Sequence, residues 1–362
     1  MKIHHLKLIN FRNYEKLEMD FSENYNIIYG NNGVGKTNLV ESIYVLALTK
    51  SFRGSVDKVL IMNNKDVCKV EGKVRDNYVN NYRIIIKSDG KKVKVNNTKI
   101  EKLSDYISKI IVVLFNPDDL RFIKDSPSFR RKSINLEISQ LNNNYLKNLN
   151  MYEKLLKQRN MYLKTVNINA NSSLEYLDVL TNKLVDYGEK IYNSRKKYVS
   201  LLNKGIKYYY KEICNIDDLV IEYVTDFNNF DKDKILNKYK DNLNKDIILG
   251  KTSIGIHHDD FKFKMKKQYI KDYGSEGQQK NAIIAYKLCE LDIFYEIKGE
   301  YPILILDDLF SELDKEKIKN ILNLINKDVQ TFITTTDIDN IDKKILKNSS
   351  LFKVEDGIIM EG

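Results

Sequence analysis

The octapeptide GNNGVGKT occupies residues 30–37, between an apolar predicted strand at Tyr25–Tyr29 and a predicted helix. Four apolar residues at helical spacing indicate that helix: Leu39, Ile43, Leu46 and Ala47. The octapeptide matches the pattern G-x-x-x-x-G-K-S/T of a phosphate-binding loop, in the strand–loop–helix context that the pattern requires. Chance would produce such a match about once in a hundred chains, so a glycine turn without a ligand is the weaker interpretation.

Each part of this loop has a predicted role in binding ATP. Backbone N–H groups of the loop and of the first helical turn would hold the phosphates, because they are unpaired donors at the positive end of the helix dipole. Lys36 would reach the β- and γ-phosphates, and the Thr37 hydroxyl would ligate Mg²⁺. The predicted ATP-binding residues of this segment are Gly30, Asn31, Asn32, Gly33, Val34, Gly35, Lys36, Thr37 and Asn38.

An acidic motif follows a second apolar strand in PILILDDLFSELD, residues 302–314. The strand delivers Asp307 and Asp308 at its carboxyl end, where α/β proteins bind ligands. Asp307 is placed to hold Mg²⁺, and Asp308 is placed to act as the general base that polarises the attacking water. The sequence therefore predicts Lys36 and Asp308 as catalytic residues.

A third motif begins at Tyr273 and reads YGSEGQQKNAIIAYKL. Its residues Ser275, Gly277 and Gln278 open a predicted helix, and a helix N-terminus that carries serine and glycine is suited to an anion. An ordinary capped helix explains these residues equally well when they are taken alone.

Heptad-like spacing dominates the middle of the chain. Apolar residues recur in steps of three and four from about Ser128 to Val166, and again from Leu177 to Tyr209. The polar stretch Asn167–Ser173 separates the two runs, which predicts two antiparallel helices of roughly 50 Å each or a plain helical subdomain. The chain is predicted to divide into three parts. Residues 1–120 form the first half of an ATPase head, residues 121–250 form an inserted helical arm, and residues 251–362 form the second half of the head.

Composition favours a cytoplasmic protein with a polyanionic partner. Lys and Arg number 60 against 50 Asp and Glu, for a net charge of +10, although scattered lysines are usually a solvated surface. The sequence contains neither an apolar run long enough for a membrane span nor a signal-peptide pattern near Met1, so no membrane association is expected. Three separated cysteines suit a reducing compartment. His257 and His258 are expected to point to opposite faces of a strand, which argues against a shared metal ion.

The order of these motifs resembles that of ABC-type ATPases, and the chain resembles the RecF family in particular. The stretches that carry this resemblance span most of the chain: NFRNY at 10–14, NPDDLRFIKDSPSFRR at 116–131, GIHHDD at 255–260, SEGQQK at 275–280, LDDLFSELD at 306–314 and FITTTD at 332–337. The resemblance implies an α/β fold: an ABC-type P-loop ATPase head with a mixed sheet, flanking helices and a β-rich subdomain. A helical, coiled-coil-like arm would be inserted into this head.

The resemblance also implies how such a protein works. ATP with Mg²⁺ would join two copies into a homodimer, with Ser275, Gly277 and Gln278 of one copy facing the phosphates bound by the other. Asp314 would lie near the dimer seam as the D-loop aspartate. The remaining implied residues are Arg12 near the phosphates, Asn116 near the metal and Thr336 in the place of the switch histidine.

DNA is the implied macromolecular partner. The resemblance implies binding at single-stranded gaps and gap junctions, cooperation with RecR and RecO, and help in loading recombinase during repair and replication restart. Because Asp308 has a shorter reach than the glutamate common at that place, slow, DNA-stimulated hydrolysis is expected.

Three other functions remain open. An SMC-like tether or nuclease-associated ATPase predicts a longer arm or an added acidic domain. An ABC transporter motor predicts a loop lysine and a signature serine much closer together than Lys36 and Ser275. A small-molecule kinase would use the phosphate loop alone, which leaves the other motifs unexplained.

Overall fold

The structure, a computed structural model, describes residues 1–54, 56–169, 173–355 and 357–361, with the backbone alone at 311 and 312. Within these ranges the strands are β1 Lys2–Phe11, β2 Tyr14–Asp20, β3 Tyr25–Tyr29, β4 Val67–Arg75, β5 Val79–Lys87, β6 Gly90–Val95, β7 Thr98–Ile100, β8 Val112–Phe115, β9 Leu219–Val224, β10 Asp260–Met265, β11 Gln268–Tyr269, β12 Ile303–Asp307, β13 Thr331–Thr335, β14 Ser349–Glu355 and β15 Ile358–Glu361. The helices are α1 Lys36–Leu48, α2 Arg121–Lys124, α3 Pro127–Leu141, α4 Asn143–Ile168, α5 Leu174–Cys214, α6 Lys232–Asp241, α7 Leu243–Leu249, α8 Ile270–Tyr273, α9 Glu276–Lys298, α10 Lys315–Leu324 and α11 Lys343–Leu346.

The chain folds into two compact units. The first comprises Met1–Leu120, Tyr208–Asp217 and Lys280–Gly362, and the second comprises Arg121–Lys207 and Asp218–Gln279. Residues 251–279, which the sequence assigned to the second half of the head, thus belong to the unit that holds the helical segment.

A six-stranded mixed sheet forms the centre of the first unit, in the order β15-β14-β3-β13-β12-β8. The five strands from β14 to β8 are parallel to their neighbours, and β15 is antiparallel to β14. Strands β12 and β13 are buried along their whole length, as expected for parallel strands that are covered on both faces. The predicted mixed sheet is confirmed.

An antiparallel sheet with the order β2-β1-β4-β5-β6-β7 also belongs to the first unit. Its strands alternate: Leu6 and Leu8 are buried while Lys7 between them is partly exposed, and β4 and β5 follow the same pattern. One face of this sheet therefore belongs to the core and the other faces solvent. A tight turn at Ser88 and Asp89 joins β5 to β6, with Lys87 opposite Gly90.

The predicted helical run from Ser128 to Val166 is two helices, because the chain breaks at Asn142. This residue has extended dihedrals, φ −143° and ψ 105°, and its side chain accepts a hydrogen bond from the backbone N–H of Asn144 as the cap of α4. Asparagine favours such caps over helix interiors, since its amide competes for backbone groups. The predicted loop Asn167–Ser173 lies partly outside the described residues. Within the described part of the chain, no helix is both long and apolar enough to span a bilayer.

The interior of the second unit contains buried ion pairs. Arg159, 1% exposed, donates to Asp246 at 2.8 Å, to Thr252 at 2.7 Å and to Thr181 at 3.0 Å. Arg195 donates to Asp259 at 2.5 Å and to the carbonyl of Ile256 at 2.7 Å. These arginines are each satisfied by several acceptors, which is the condition under which a buried charge is tolerated.

The two adjacent histidines lie in a turn of this unit, so the prediction that they occupy a strand and diverge is wrong. Their ring centroids are 4.2 Å apart, and each Nε2 lies within 3.2 Å of the Thr252 carbonyl oxygen. Burial lowers the pKa of His257 to about 4, and the neighbouring His258 acts in the same direction.

Replacing the buried partner of Arg159 tests the role of these pairs. We expect Asp246→Asn to lower the free energy of unfolding by about 3 kcal/mol, because it leaves a buried guanidinium without its counter-charge. Asp186→Asn, which breaks the exposed pair with Lys232, is the matched control and should cost far less, because water screens an exposed pair. Urea unfolding of both variants gives the comparison. Equal losses would show that burial of the Arg159 pair adds nothing.

Candidate nucleotide-binding site

The loop at residues 30–37 connects β3 to α1 in the first unit and has the conformation that its glycines permit. Gly30 has a φ of 149° and Gly33 a φ of 83°, both in the region that favours glycine. A Cβ atom on Gly30 would overlap the carbonyl oxygen of Val354, whereas one on Gly33 would meet nothing within 4 Å. The Gly35 carbonyl accepts a hydrogen bond from the buried Tyr14 hydroxyl at 3.1 Å. Asn31 and Asn32 are exposed at the loop tip.

The Lys36 side chain folds back over the loop. Its Nζ donates to the carbonyl oxygens of Gly30 and Asn31, both at 2.7 Å. Burial lowers the pKa of this ammonium group, while Asp308 and Asp307 act in the opposite direction. The Lys36 ammonium group is therefore held among the loop carbonyls and close to Asp307 and Asp308, where it could bind a polyphosphate.

Asp307 is the last residue of β12, and its carboxylate accepts hydrogen bonds from two different side chains. Its Oδ1 accepts from the Thr334 hydroxyl at 2.7 Å, and it also accepts a hydrogen bond from the Thr37 side chain. Burial raises the pKa of Asp307, and the hydrogen bonds from Thr334 and Thr37 oppose that rise. The nearby charge of Arg53 opposes it as well. The structure thus brings together Thr37 and Asp307, two of the three residues predicted at the metal.

Asp308 follows in a left-handed conformation with a φ of 52°. Its backbone N–H donates to the Thr334 hydroxyl oxygen at 2.9 Å. Thr334 therefore connects both acidic residues to β13, and the sequence-based reasoning missed this role. The signal was present in the stretch FITTTD, where only Thr336 was given a function. Thr336 itself is exposed just beyond the end of β13.

Asn116 follows β8, which pairs with β12 so that Phe115 lies opposite Leu306. The next residues along these parallel strands are Asn116 and Asp307, at the same edge of the sheet. Asn116 is 8% exposed, and among the described residues its Oδ1 has no hydrogen-bond partner although it is buried. A buried carbonyl oxygen without a donor is an unusual feature that a cation or its water would satisfy.

The Arg12 guanidinium binds a carboxylate of α1. It donates two hydrogen bonds of 2.8 Å to the oxygens of Glu41, which is fully buried. Next to it, Asn13 accepts from the Asn38 amide at 2.8 Å, and Asn38 accepts from Arg53 at 3.1 Å. Arg12 thus fixes the position of α1, the helix that follows the loop. Asn13 and Arg53 lie beside the predicted binding residue Asn38.

Asp314 caps the N-terminus of α10. Its carboxylate accepts from the backbone N–H of Lys317 at 2.8 Å, and that hydrogen bond lowers the pKa of Asp314. The side chain is exposed at a helix start in the first unit.

The signature residues lie in the second unit at the start of α9. The Ser275 hydroxyl oxygen accepts from the Gln278 N–H at 3.3 Å, and the Gln278 side-chain oxygen accepts from the Ser275 N–H at 2.9 Å. This reciprocal pair is a capping box, which fixes the serine at the helix start. Ser275 and Gly277 are exposed at this helix start.

Comparisons with known proteins agree on one family. The chain matches the family described as RecF/RecN/SMC N terminal domain over residues 2–360. It is 39% identical to a Bacillus velezensis protein named DNA replication and repair protein RecF, over 100% of both chains. A Clostridium perfringens protein of the same name is 40% identical over 99% of both chains. A solved structure of the recombination mediator protein RecF-ATP in the RecFOR pathway has a TM-score of 0.91 at 33% identity, with 100% of this chain and 97% of that chain covered. These likenesses confirm the predicted family and fold class.

The close approach at Gly30 gives a test of the loop geometry. We expect Gly30→Ala to lower the free energy of unfolding by about 2 kcal/mol or more, because the methyl group would meet a backbone carbonyl that cannot move aside. Gly33→Ala is the control, because its φ of 83° is also positive but the new methyl group would meet open space, and it should cost about 1 kcal/mol. Both are measured by urea unfolding without nucleotide. A smaller effect at Gly30 than at Gly33 would contradict this geometry.

Proposed function

Because this chain belongs to the RecF family, we propose that it is an ATP-dependent DNA-binding protein of recombinational repair that dimerises on ATP and is reset by slow hydrolysis. The observation that carries the proposal is the convergence of four elements in the first unit: the phosphate loop after β3, Thr334 on β13, Asp307 on β12 and Asn116 after β8. Carboxylate, hydroxyl and amide oxygens together with a buried lysine are the donor set that a magnesium–nucleotide complex requires.

In the proposed complex, Thr37 and Asp307 hold Mg²⁺, and Asn116 supplies a further oxygen. Magnesium would neutralise charge on the β- and γ-phosphates. Lys36 would replace its hydrogen bonds to two loop carbonyls with hydrogen bonds to phosphate oxygens. This exchange favours nucleotide binding, because hydrogen bonds between two charged groups are stronger than those to neutral acceptors. Gly30–Asn38 would supply backbone donors, and Arg12 would act through its pair with Glu41 by fixing α1.

Asp308 is proposed as the general base. It follows Asp307 directly and its backbone is held by Thr334, so its carboxylate is positioned at the edge where the terminal phosphate would lie. The short aspartate side chain reaches less far than a glutamate, which supports slow turnover. Thr336 is proposed as the switch residue beside it.

We propose that a second copy completes each nucleotide site. The capping box fixes Ser275 at the exposed N-terminus of α9, and the positive end of a helix dipole suits the terminal phosphate of a nucleotide held by the partner. Gly277 in that turn would allow close approach, and Asp314 would lie at the seam. Two equivalent sites would follow from the symmetry of such a dimer.

DNA is the proposed macromolecular partner, at single-stranded gaps and their junctions with duplex. The names of the relatives refer to DNA replication and repair, and the RecF-ATP structure is described within the RecFOR pathway. We therefore propose RecR and RecO as protein partners and recombinase loading as the outcome. The net charge of +10 supports contact with phosphates.

The nucleotide dependence of dimerisation tests this function. We expect monomer without nucleotide or with ADP, and a dimer that binds gapped DNA with ATP and Mg²⁺. Asp308→Asn should trap the dimer, because it removes the base but keeps the side-chain volume. Ser275→Ala should lose the ATP-dependent dimer without loss of ATP binding. Light scattering gives the mass. A mass independent of nucleotide would overturn the dimer, and transfer of phosphate to a small molecule would favour a kinase.

Removing the Thr334 hydroxyl tests the two hydrogen bonds by which Thr334 holds the Asp307 carboxylate and the Asp308 backbone N–H. We expect Thr334→Val to lower the ATPase kcat about tenfold, as for loss of one hydrogen bond to a charged group. It should also raise the Mg²⁺ concentration required. The loss of activity on acidification should begin at a higher pH, because the pKa of Asp307 rises further when this bond is removed. Thr334→Ser keeps the hydroxyl and should retain the wild-type profile. Identical pH and Mg²⁺ profiles for the valine and serine variants would contradict this role.

A further inference from the structure

The antiparallel sheet of the first unit has a solvent face with an ordered charge pattern. We call it the outer sheet face: the side chains on β1, β2 and β4 to β7 that alternate with the buried ones. In β4, for example, Val70 and Val74 are buried while Lys69 and Lys73 lie on the outer face. Residues directly opposite each other on neighbouring strands share a face, so the register of the sheet arranges these side chains in rows.

Two adjacent rows carry most of the charge. One row runs through Lys16, Ile9, Lys69, Ile85 and Lys92 and contains no acidic residue. The next row runs through Glu18, Lys7, Glu71, Arg83 and Lys94. The two rows together place six basic side chains against two acidic ones on a surface made by six hydrogen-bonded strands.

The acidic residues of the second row neutralise only part of this charge. Glu18 pairs with Lys7 at 3.0 Å and Glu71 pairs with Arg83 at 3.0 Å. Among the residues that the structure describes, Lys69, Lys92 and Lys94 form no ion pair. A polar groove of about 380 Å³ runs over the same face, and Lys94 is part of its lining. Like charges held this close on a rigid sheet repel one another, and an anionic partner would relieve that repulsion.

The spacing and chemistry of the face suit a regular polyanion. Lysines two residues apart on one strand lie about 7 Å apart, and lysines two strands apart lie about 10 Å apart. The outer positions of these strands carry no Phe, Tyr or Trp, so the face lacks the aromatic platform on which proteins stack single-stranded bases. Lysine ammonium groups contact phosphates without reading bases.

We propose that the outer sheet face, through Lys69, Lys92 and Lys94, binds the phosphate backbone of duplex DNA independently of sequence. This inference rests on the proposed function in DNA repair. At a gap junction, the face would hold the duplex side.

The test compares two triple variants of the full chain with equal loss of charge. The first is Lys69→Gln, Lys92→Gln and Lys94→Gln. The control is Lys343→Gln, Lys344→Gln and Lys347→Gln, at three exposed lysines in and directly after α11. Binding of a fluorescein-labelled duplex of mixed sequence, and separately of oligo(dT), is followed by anisotropy with ATP and Mg²⁺ over a series of KCl concentrations. ATP hydrolysis without DNA serves as the check of folding.

We expect the first variant to bind duplex about tenfold more weakly or worse. The negative slope of log K against log salt should become shallower by about 2.7, which corresponds to three lost phosphate contacts. The control variant should match the wild type, and hydrolysis without DNA should be unchanged in both. Equal duplex binding by the two variants, or a loss confined to oligo(dT), would overturn the surface and leave the proposed function standing. If the wild type binds no DNA, both the surface and the proposed DNA function fail.

Discussion

Burial of the central parallel strands on both faces is the constraint on which the rest of the first unit depends. Strands β12 and β13 admit no exposed charge along their length, so polar chemistry is possible only at their ends. Asp307 and Thr334 meet at the carboxyl ends, and the loop after β3 begins at the same edge. Thr334 bonds the carboxylate of Asp307 and the N–H of Asp308, and a single hydroxyl thus fixes the geometry between neighbouring strands.

The phosphate loop and the acidic strand end could be predicted because each rests on local sequence, whereas the mixed sheet was expected only from the family resemblance. Glycine, lysine and threonine at fixed spacing after an apolar strand leave few other conformations, and β3 begins and ends where the sequence predicts. The role of Thr334 could not be predicted, because it requires the register of β13 against β12. Asn142 breaks a run whose apolar spacing is continuous, since periodicity does not report capping. His257 and His258 were misplaced for a related reason: two adjacent polar residues do not distinguish a turn from a strand end.

Basic side chains have different environments in the two units, and the difference follows from how many hydrogen-bond and ion-pair partners each one has. In the second unit, Arg159 and Arg195 are buried, and each is satisfied by a carboxylate together with neutral acceptors. Their distant partners cannot be read from the sequence, because Arg159 and Asp246 are far apart along the chain. On the outer sheet face of the first unit, Lys69 and Lys92 form no ion pair with any residue that the structure describes. A charge left in water costs little to keep and is available to a partner, whereas a buried charge is committed to the fold.

The conformation of Asp308 explains why a short acidic residue suits this position. A left-handed φ of 52° costs a residue with a Cβ atom about 1 kcal/mol or more, and aspartate and asparagine bear that cost better than longer side chains because they bond locally to the backbone. The hydrogen bond from the Asp308 N–H to Thr334 offsets part of this strain. A glutamate would extend further toward a bound phosphate but would tolerate the left-handed backbone less well. A shorter reach is thus combined with a backbone that is fixed before any nucleotide binds, which agrees with the slow hydrolysis proposed above.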